Sequence, residues 1–130
     1  MKTLIVEDDF TARLTLQTFL AGYGDCHIAV NGKEAVDACR MAIEDGSRYD
    51  LVCMDILLPE MDGQAAVREI RRIEEEHGLF PDRSAKIIMT TALGEMKDVI
   101  QSFKDLCDAY LVKPVNLRDL LKYLDEFALV

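Results

Sequence analysis

Four short stretches of this sequence carry side chains that could act together: Glu7-Asp8-Asp9, Asp55, Thr90-Thr91 and Lys113-Pro114. Clustered carboxylates repel one another unless a cation sits among them. Mg²⁺ prefers oxygen ligands, often one or two carboxylates with waters and substrate phosphate. A carboxylate can also attack phosphorus and form an acyl phosphate. Phosphoryl transfer needs the spreading negative charge to be neutralised. A divalent metal supplies part of that neutralisation and the Lys113 ammonium another part, while the Thr91 hydroxyl offers a hydrogen bond. Each stretch has a plainer reading: Asp8 or Asp9 as a helix cap, Asp55 as a loop cap, Thr91 as turn chemistry, Lys113 as a surface lysine before a break. What favours the chemical reading is where the elements place them.

Apolar runs too short for an average helix recur at Leu4–Val6, Cys26–Val30, Leu51–Met54, Ile87–Met89 and Ala109–Val112. Helix-period segments lie between them. Ala12, Leu16, Phe19 and Leu20 share one face, as do Val36, Cys39 and Ile43, then Ala66, Ile70 and Ile73. Val99, Ile100, Phe103 and Leu106 form a fourth set. Leu117, Leu120, Leu121, Leu124 and Phe127 form a fifth. Asn31 and Asn116 stand at capping positions. Gly22, Gly24 and Gly46 stand at helix ends. His77–Ser84 reads as a longer loop. Repeated strand-then-helix units imply a parallel sheet covered on both faces, an α/β fold. In such sheets ligands bind beyond the carboxyl ends of the strands. Glu7-Asp8-Asp9, Asp55, Thr90-Thr91 and Lys113 fall at the ends of the first, third, fourth and fifth strands, so one edge gathers them.

Composition bounds the function. The 130 residues suggest one domain, 1–130, with one core, and the last helical pattern leaves no room for a second domain. A formal net charge of -9 disfavours direct binding to nucleic acid. No apolar run approaches the roughly 20 residues of a membrane span, and no secretory leader is visible. Cys26, Cys39, Cys53 and Cys107 show no paired spacing and lie in apolar stretches, which implies reduced core thiols and a cytoplasmic setting. Neither His27 nor His77 has a second ligand at metal spacing, and neither reads as catalytic.

The stretches Leu4–Asp9, Asp50–Gly63 (DLVCMDILLPEMDG), Ile87–Ala92 and Tyr110–Pro114 resemble, in order and spacing, the CheY-like receiver domains of two-component response regulators. The resemblance covers essentially the whole chain. It implies a flavodoxin-like doubly wound sheet in strand order 2-1-3-4-5 with five helices. It also implies a phosphoacceptor role for Asp55. Glu7, Asp8, Asp55 and the backbone carbonyl of Leu57 would hold Mg²⁺ or Mn²⁺. Lys113 and Thr91 would meet the phosphoryl oxygens, and Thr91 and Tyr110 would form a switch. The implied partners are a sensor histidine kinase or histidine phosphotransfer protein, a downstream target on the helix 4–strand 5–helix 5 face, and a possible second copy of the chain. The peptide between Lys113 and Pro114 is often cis in that family, and a cis X-Pro bond costs little. Val115 stands where Phe is frequent.

Three other functions fit these residues less well. A phosphoaspartate-forming phosphatase wants a second Asp two residues after the nucleophile, where Leu57 stands. A nucleotide or flavin module lacks its glycine pattern after strand 1. An unphosphorylated receiver-like interaction module is disfavoured because Asp8, Asp55, Thr91 and Lys113 are all present. The domain is thus expected to be regulatory and not an enzyme acting on a separate substrate.

Hydrolysis of a phosphoaspartate needs a water in line with phosphorus. Leu57 and Leu93, two residues beyond Asp55 and Thr91, offer that water no hydrogen bond, so slow self-dephosphorylation is expected. Leu57→Asn combined with Leu93→Glu should shorten the phosphorylated lifetime several-fold, each roughly tenfold change corresponding to about 1.4 kcal/mol of barrier. An unchanged lifetime with metal binding intact would rule this out.

Overall fold

The computed structural model describes residues 1–92 and 106–130. Strands β1 (Thr3–Val6), β2 (Cys26–Ala29), β3 (Leu51–Asp55), β4 (Lys86–Thr91) and β5 (Ala109–Val112) form one parallel sheet in the order β2-β1-β3-β4-β5. Helices α1 (Phe10–Leu20), α2 (Gly32–Glu44), α3 (Gly63–Glu76) and a C-terminal helix (Leu117–Glu126) are the α-helices of the described residues. The helix expected around Val99, Ile100 and Phe103 lies outside the described residues, as does Leu93.

Register explains the two layers. Ile5, Cys53, Ile88 and Ala109 run as one row across β1, β3, β4 and β5. They pack with Leu16 and Leu20 of α1 and Leu120 and Leu124 of the C-terminal helix. Their chain neighbours Leu4, Val52 and Ile87 point the other way, because side chains alternate along a strand. They pack with Val36 and Cys39 of α2 and Ile70 and Ile73 of α3. The central strands are therefore apolar on both sides. Edge strand β2 departs from that expectation: His27 and Ile28 are exposed, and the His27 ring meets the Tyr49 hydroxyl at 2.7 Å. Burial pushes the Cys39 and Cys53 thiols up to about 12. Cys26 is only partly covered, so the core reading of the cysteines holds less well there.

Caps fall where the side chains supply them. Asp9, Asn31, Asp62 and Asn116 accept hydrogen bonds from the backbone N–H groups of Ala12, Glu34, Ala65 and Asp119, each at 2.8 Å. Leu117, expected on the buried face of the last helix, is 39% exposed because it opens the first turn. The first helix ends before a 3₁₀ turn, Ala21–Tyr23, and Gly24 follows at φ 137°. Gly46 (φ 71°) closes α2.

At the sheet end where β4 and β5 begin, one buried guanidinium ties three segments together. Arg71 of α3 donates to the carbonyls of Leu106 (2.7 Å) and Ala85 (2.8 Å), and to the carboxylates of Glu74 (2.7 Å) and Asp108 (3.0 Å). Glu74 accepts in turn from Ala85 N–H (2.7 Å) and Asp108 from Ile87 N–H (2.8 Å). With four N–H bonds donated in this way, two of them to carboxylates, the buried charge is tolerated.

Candidate functional site

The opposite end of the sheet carries the reactive side chains. Glu7 follows β1, Asp55 ends β3, Thr91 ends β4 and Lys113 follows β5. Backbone bonds hold each in place. Glu7 N–H donates to Ala29 O (3.0 Å), Ile56 N–H to Thr90 O (3.2 Å) and Lys113 N–H to Thr91 O (2.8 Å). Arg13 of α1 adds a bond to the Glu7 carbonyl at 3.2 Å.

The turn after Asp55 is held by close packing. A Cβ on Gly63 would lie 2.1 Å from the Asp55 carbonyl oxygen, and one on Gly32 would lie 1.9 Å from the Met61 carbonyl oxygen. Gly63 N–H donates to Ile56 O at 2.9 Å, which starts α3 directly against the end of β3. Between them Glu60 takes a left-handed conformation, φ 65°. Gly63 belongs to the sequence stretch singled out above, but its supporting role was not legible there. Gly32 gave no signal beyond its place after a capping Asn.

Carboxylate oxygens of Glu7, Asp8 and Asp55 lie within 4.8 Å of one another, with Glu7 and Asp55 buried and Asp8 exposed. The Lys113 ammonium stands 2.7 Å from Glu7 Oε1 and 3.2 Å from Asp55 Oδ2. From sequence Lys113 was expected opposite the carboxylates of strands 1 and 3 and against a phosphoryl group; of the two carboxylates it meets, Glu7 is the nearer. Burial, followed by the neighbouring Asp55 carboxylate, holds the Glu7 carboxyl above its ordinary pKa, although Lys113 pulls it down. Burial works against the Lys113 ammonium, but its bond to Glu7 and the charges of Asp55 and Glu7 outweigh that and raise its pKa. Asp9, adjacent in sequence, serves as the α1 cap, and its N–H donates to Glu7 Oε2 at 3.2 Å.

The oxygen-only donor set, partly open to solvent through Asp8, fits a hard divalent cation such as Mg²⁺. Thr91 is buried and its hydroxyl donates to Ala92 O at 3.1 Å. Tyr110 is half-buried. The resemblance has Thr91 and Tyr110 ending adjacent strands, but Tyr110 is the second residue of β5. Tyr110 pairs with Met89, and Thr91 pairs with Val112 one step further along. All four point to the same face of the sheet, because residues two apart share a face. Leu57 is 63% exposed beside Asp55. The Lys113-Pro114 peptide is cis, as is Phe80-Pro81.

Residues 3–125 match the response regulator receiver domain family. The chain belongs to that family. It is 36% identical over 115 residues to the chemotaxis protein CheY of Thermotoga maritima, covering 87% of this chain and 85% of CheY. It is 34% identical to the transcriptional regulatory protein SrrA of Staphylococcus aureus, but covers only 44% of that longer protein. Among solved structures it resembles the receiver domain of Ssk1 from Saccharomyces cerevisiae, crystallised with the histidine phosphotransfer protein Ypd1: TM-score 0.80, 32% identity, 98% of this chain and 88% of the other. It also resembles the receiver domain of sensor histidine kinase PA1611 from Pseudomonas aeruginosa, which has a magnesium ion coordinated in its active-site cleft. There the TM-score is 0.77 and the identity 28%, over 97% of this chain and 95% of the other. This is a CheY-like receiver domain of two-component signalling. No helix among its described residues is long and apolar enough to cross a membrane.

The raised Glu7 pKa sets a sign for stability. Without metal, the folded receiver binds the Glu7 proton more tightly than the unfolded chain does. The stability from this group is complete below its ordinary value of 4.5 and is lost as pH rises through the folded value. The stability of Glu7→Gln relative to the parent should therefore increase from about pH 4.5 upward in chelator, as read from urea midpoints. A difference that stays flat or declines over that range would contradict the assignment.

Proposed function

We propose that Asp55 accepts a phosphoryl group from a phosphohistidine, carried by a sensor histidine kinase or a histidine phosphotransfer protein in the cytoplasm. The observation that carries this reading is a buried carboxylate at a strand end with an ammonium 3.2 Å away and two further carboxylates within 4.8 Å. An Asp55 oxygen forms the new bond to phosphorus as the phosphorus–nitrogen bond of the donor breaks. The imidazole keeps that electron pair. Lys113 would pair with the phosphoryl oxygens as negative charge spreads over them. Glu7, Asp8, Asp55 and the Leu57 carbonyl would hold Mg²⁺ or Mn²⁺. When bound, that ion supplies further neutralisation of the transferring group. The yeast receiver crystallised with its phosphotransfer protein, and the Pseudomonas receiver with magnesium, support this assignment of partner and metal.

Asp55→Asn should keep the fold and abolish labelling by acetyl phosphate in Mg²⁺. Asp8→Ala should weaken metal binding. Uptake of acid- and base-labile phosphate by Asp55→Asn at the parent rate would refute the assignment.

The signal would leave through Thr91 and Tyr110. Once Asp55 is phosphorylated, the Thr91 hydroxyl turns to a phosphoryl oxygen, and Tyr110, on the same sheet face, turns inward. The face made by helix 4, strand 5 and helix 5 then changes for a downstream target or a second copy of the chain. Of that face, β5 and the C-terminal helix belong to the described residues. An acyl phosphate adds charge and acceptor oxygens, enough to bias a two-state surface. Beryllofluoride should shift backbone resonances along β5 and the C-terminal helix as well as around Asp55. Shifts confined to the Asp55 pocket would count against the switch.

A further inference from the structure

Beside the carboxylate cluster, between α1 and the turn that follows β5, lies a cavity of about 360 Å³. The phosphotransfer reading uses two residues of its wall, Glu7 and Lys113, but not the space itself. Small-molecule sites run from about 300 to 1,000 Å³ and combine apolar walls with a few polar groups, so this one has room for a small ring. Ala12, Leu16, Pro114 and Val115 supply the apolar part of the wall. Glu7, Asp9 and Lys113 supply the charged part.

The balance of those charges chooses the ligand. Two carboxylates face one ammonium, and that ammonium is already engaged by Glu7 at 2.7 Å and by Asp55 at 3.2 Å. Asp9 uses one oxygen, Oδ2, to cap α1 at 2.8 Å. An anion would have to displace Lys113 from its partners and lie against two like charges. An organic cation would instead meet Asp9 and bring its apolar body against Leu16 and Val115. A bare metal ion would leave the apolar wall uncovered.

We propose that this cavity is a second binding site, selective for a small organic cation with an apolar body, of the arylamidinium or alkylammonium class. Because Glu7 and Lys113 line both it and the carboxylate cluster, an occupant there lies within reach of the reacting edge without being part of the phosphoryl chemistry. The proposal stands or falls without any phosphoryl donor, so its failure and that of the phosphotransfer reading are distinguishable.

The test is a titration of the full chain with benzamidinium chloride, followed by backbone amide resonances, alongside benzoate, which has the same ring and the opposite charge. Benzamidinium should give saturable shifts at Ala12, Leu16 and Val115, and benzoate should give none. Val115→Phe, which fills the wall, should weaken benzamidinium roughly tenfold while leaving the Mg²⁺ titration unchanged. Asp9→Asn keeps a capping side chain and removes the charge, and should weaken it several-fold. The proposal is overturned if benzamidinium produces no saturable shifts, if benzoate binds as well, or if both variants bind benzamidinium as the parent does.

Discussion

Repulsion among carboxylates forced onto one sheet edge is the constraint around which this domain is organised. At an effective dielectric of about 20, two like charges about 4 Å apart repel by roughly 4 kcal/mol. Glu7, Asp8 and Asp55 stand within 4.8 Å of one another. In a marginally stable domain such a cluster needs compensation, and Lys113 provides it from the far side by pairing with two of the three carboxylates at once. An ammonium already held between a buried Glu and the proposed phosphoacceptor needs little rearrangement to follow charge onto a phosphoryl group.

The topology makes that pairing possible. Glu7 and Asp55 come from neighbouring strands β1 and β3, whereas Lys113 comes from β5, beyond β4. The ammonium reaches across β4, and its own N–H is fixed to Thr91 O. The switch residue proposed here and the cation that would hold the phosphoryl group thus share one backbone bond.

Much of this was legible in the sequence. Alternating apolar runs and helix-period segments located the five strands to within a few residues, because parallel strands buried on both faces are apolar throughout. The strand order came from resemblance, since periodicity carries no information about neighbours. The residues alone left Asp8 and Asp9 as equal candidates for the α1 cap; the resemblance pointed to Asp8 for the metal, and the start of α1 at Phe10 makes Asp9 the cap. The exposure of His27 and Ile28 could not be read from the apolar run itself; it follows from the edge place of β2, which the order implied by the resemblance carries and periodicity does not. The close approach of Gly63 to Asp55 was hidden for another reason. The sequence shows that a glycine is present, but not which carbonyl oxygen would collide with a larger residue. The Glu7–Lys113 pair joins residues from opposite ends of the chain, a distance over which residue spacing says nothing.

The guanidinium of Arg71 has a consequence at the other end of the molecule. It is bound to groups immediately before β4 and just before β5, the two strands that deliver Thr91 and Lys113. It therefore acts as a gauge for how far those strands have been threaded past each other. A slip of β5 by one residue would move Lys113 about 3.3 Å along the sheet and turn alternate side chains to the wrong face. That slip would also pull Asp108 out of the reach of Arg71. The side chain that secures the alignment of the ammonium with Asp55 thus sits a full strand length from either of them.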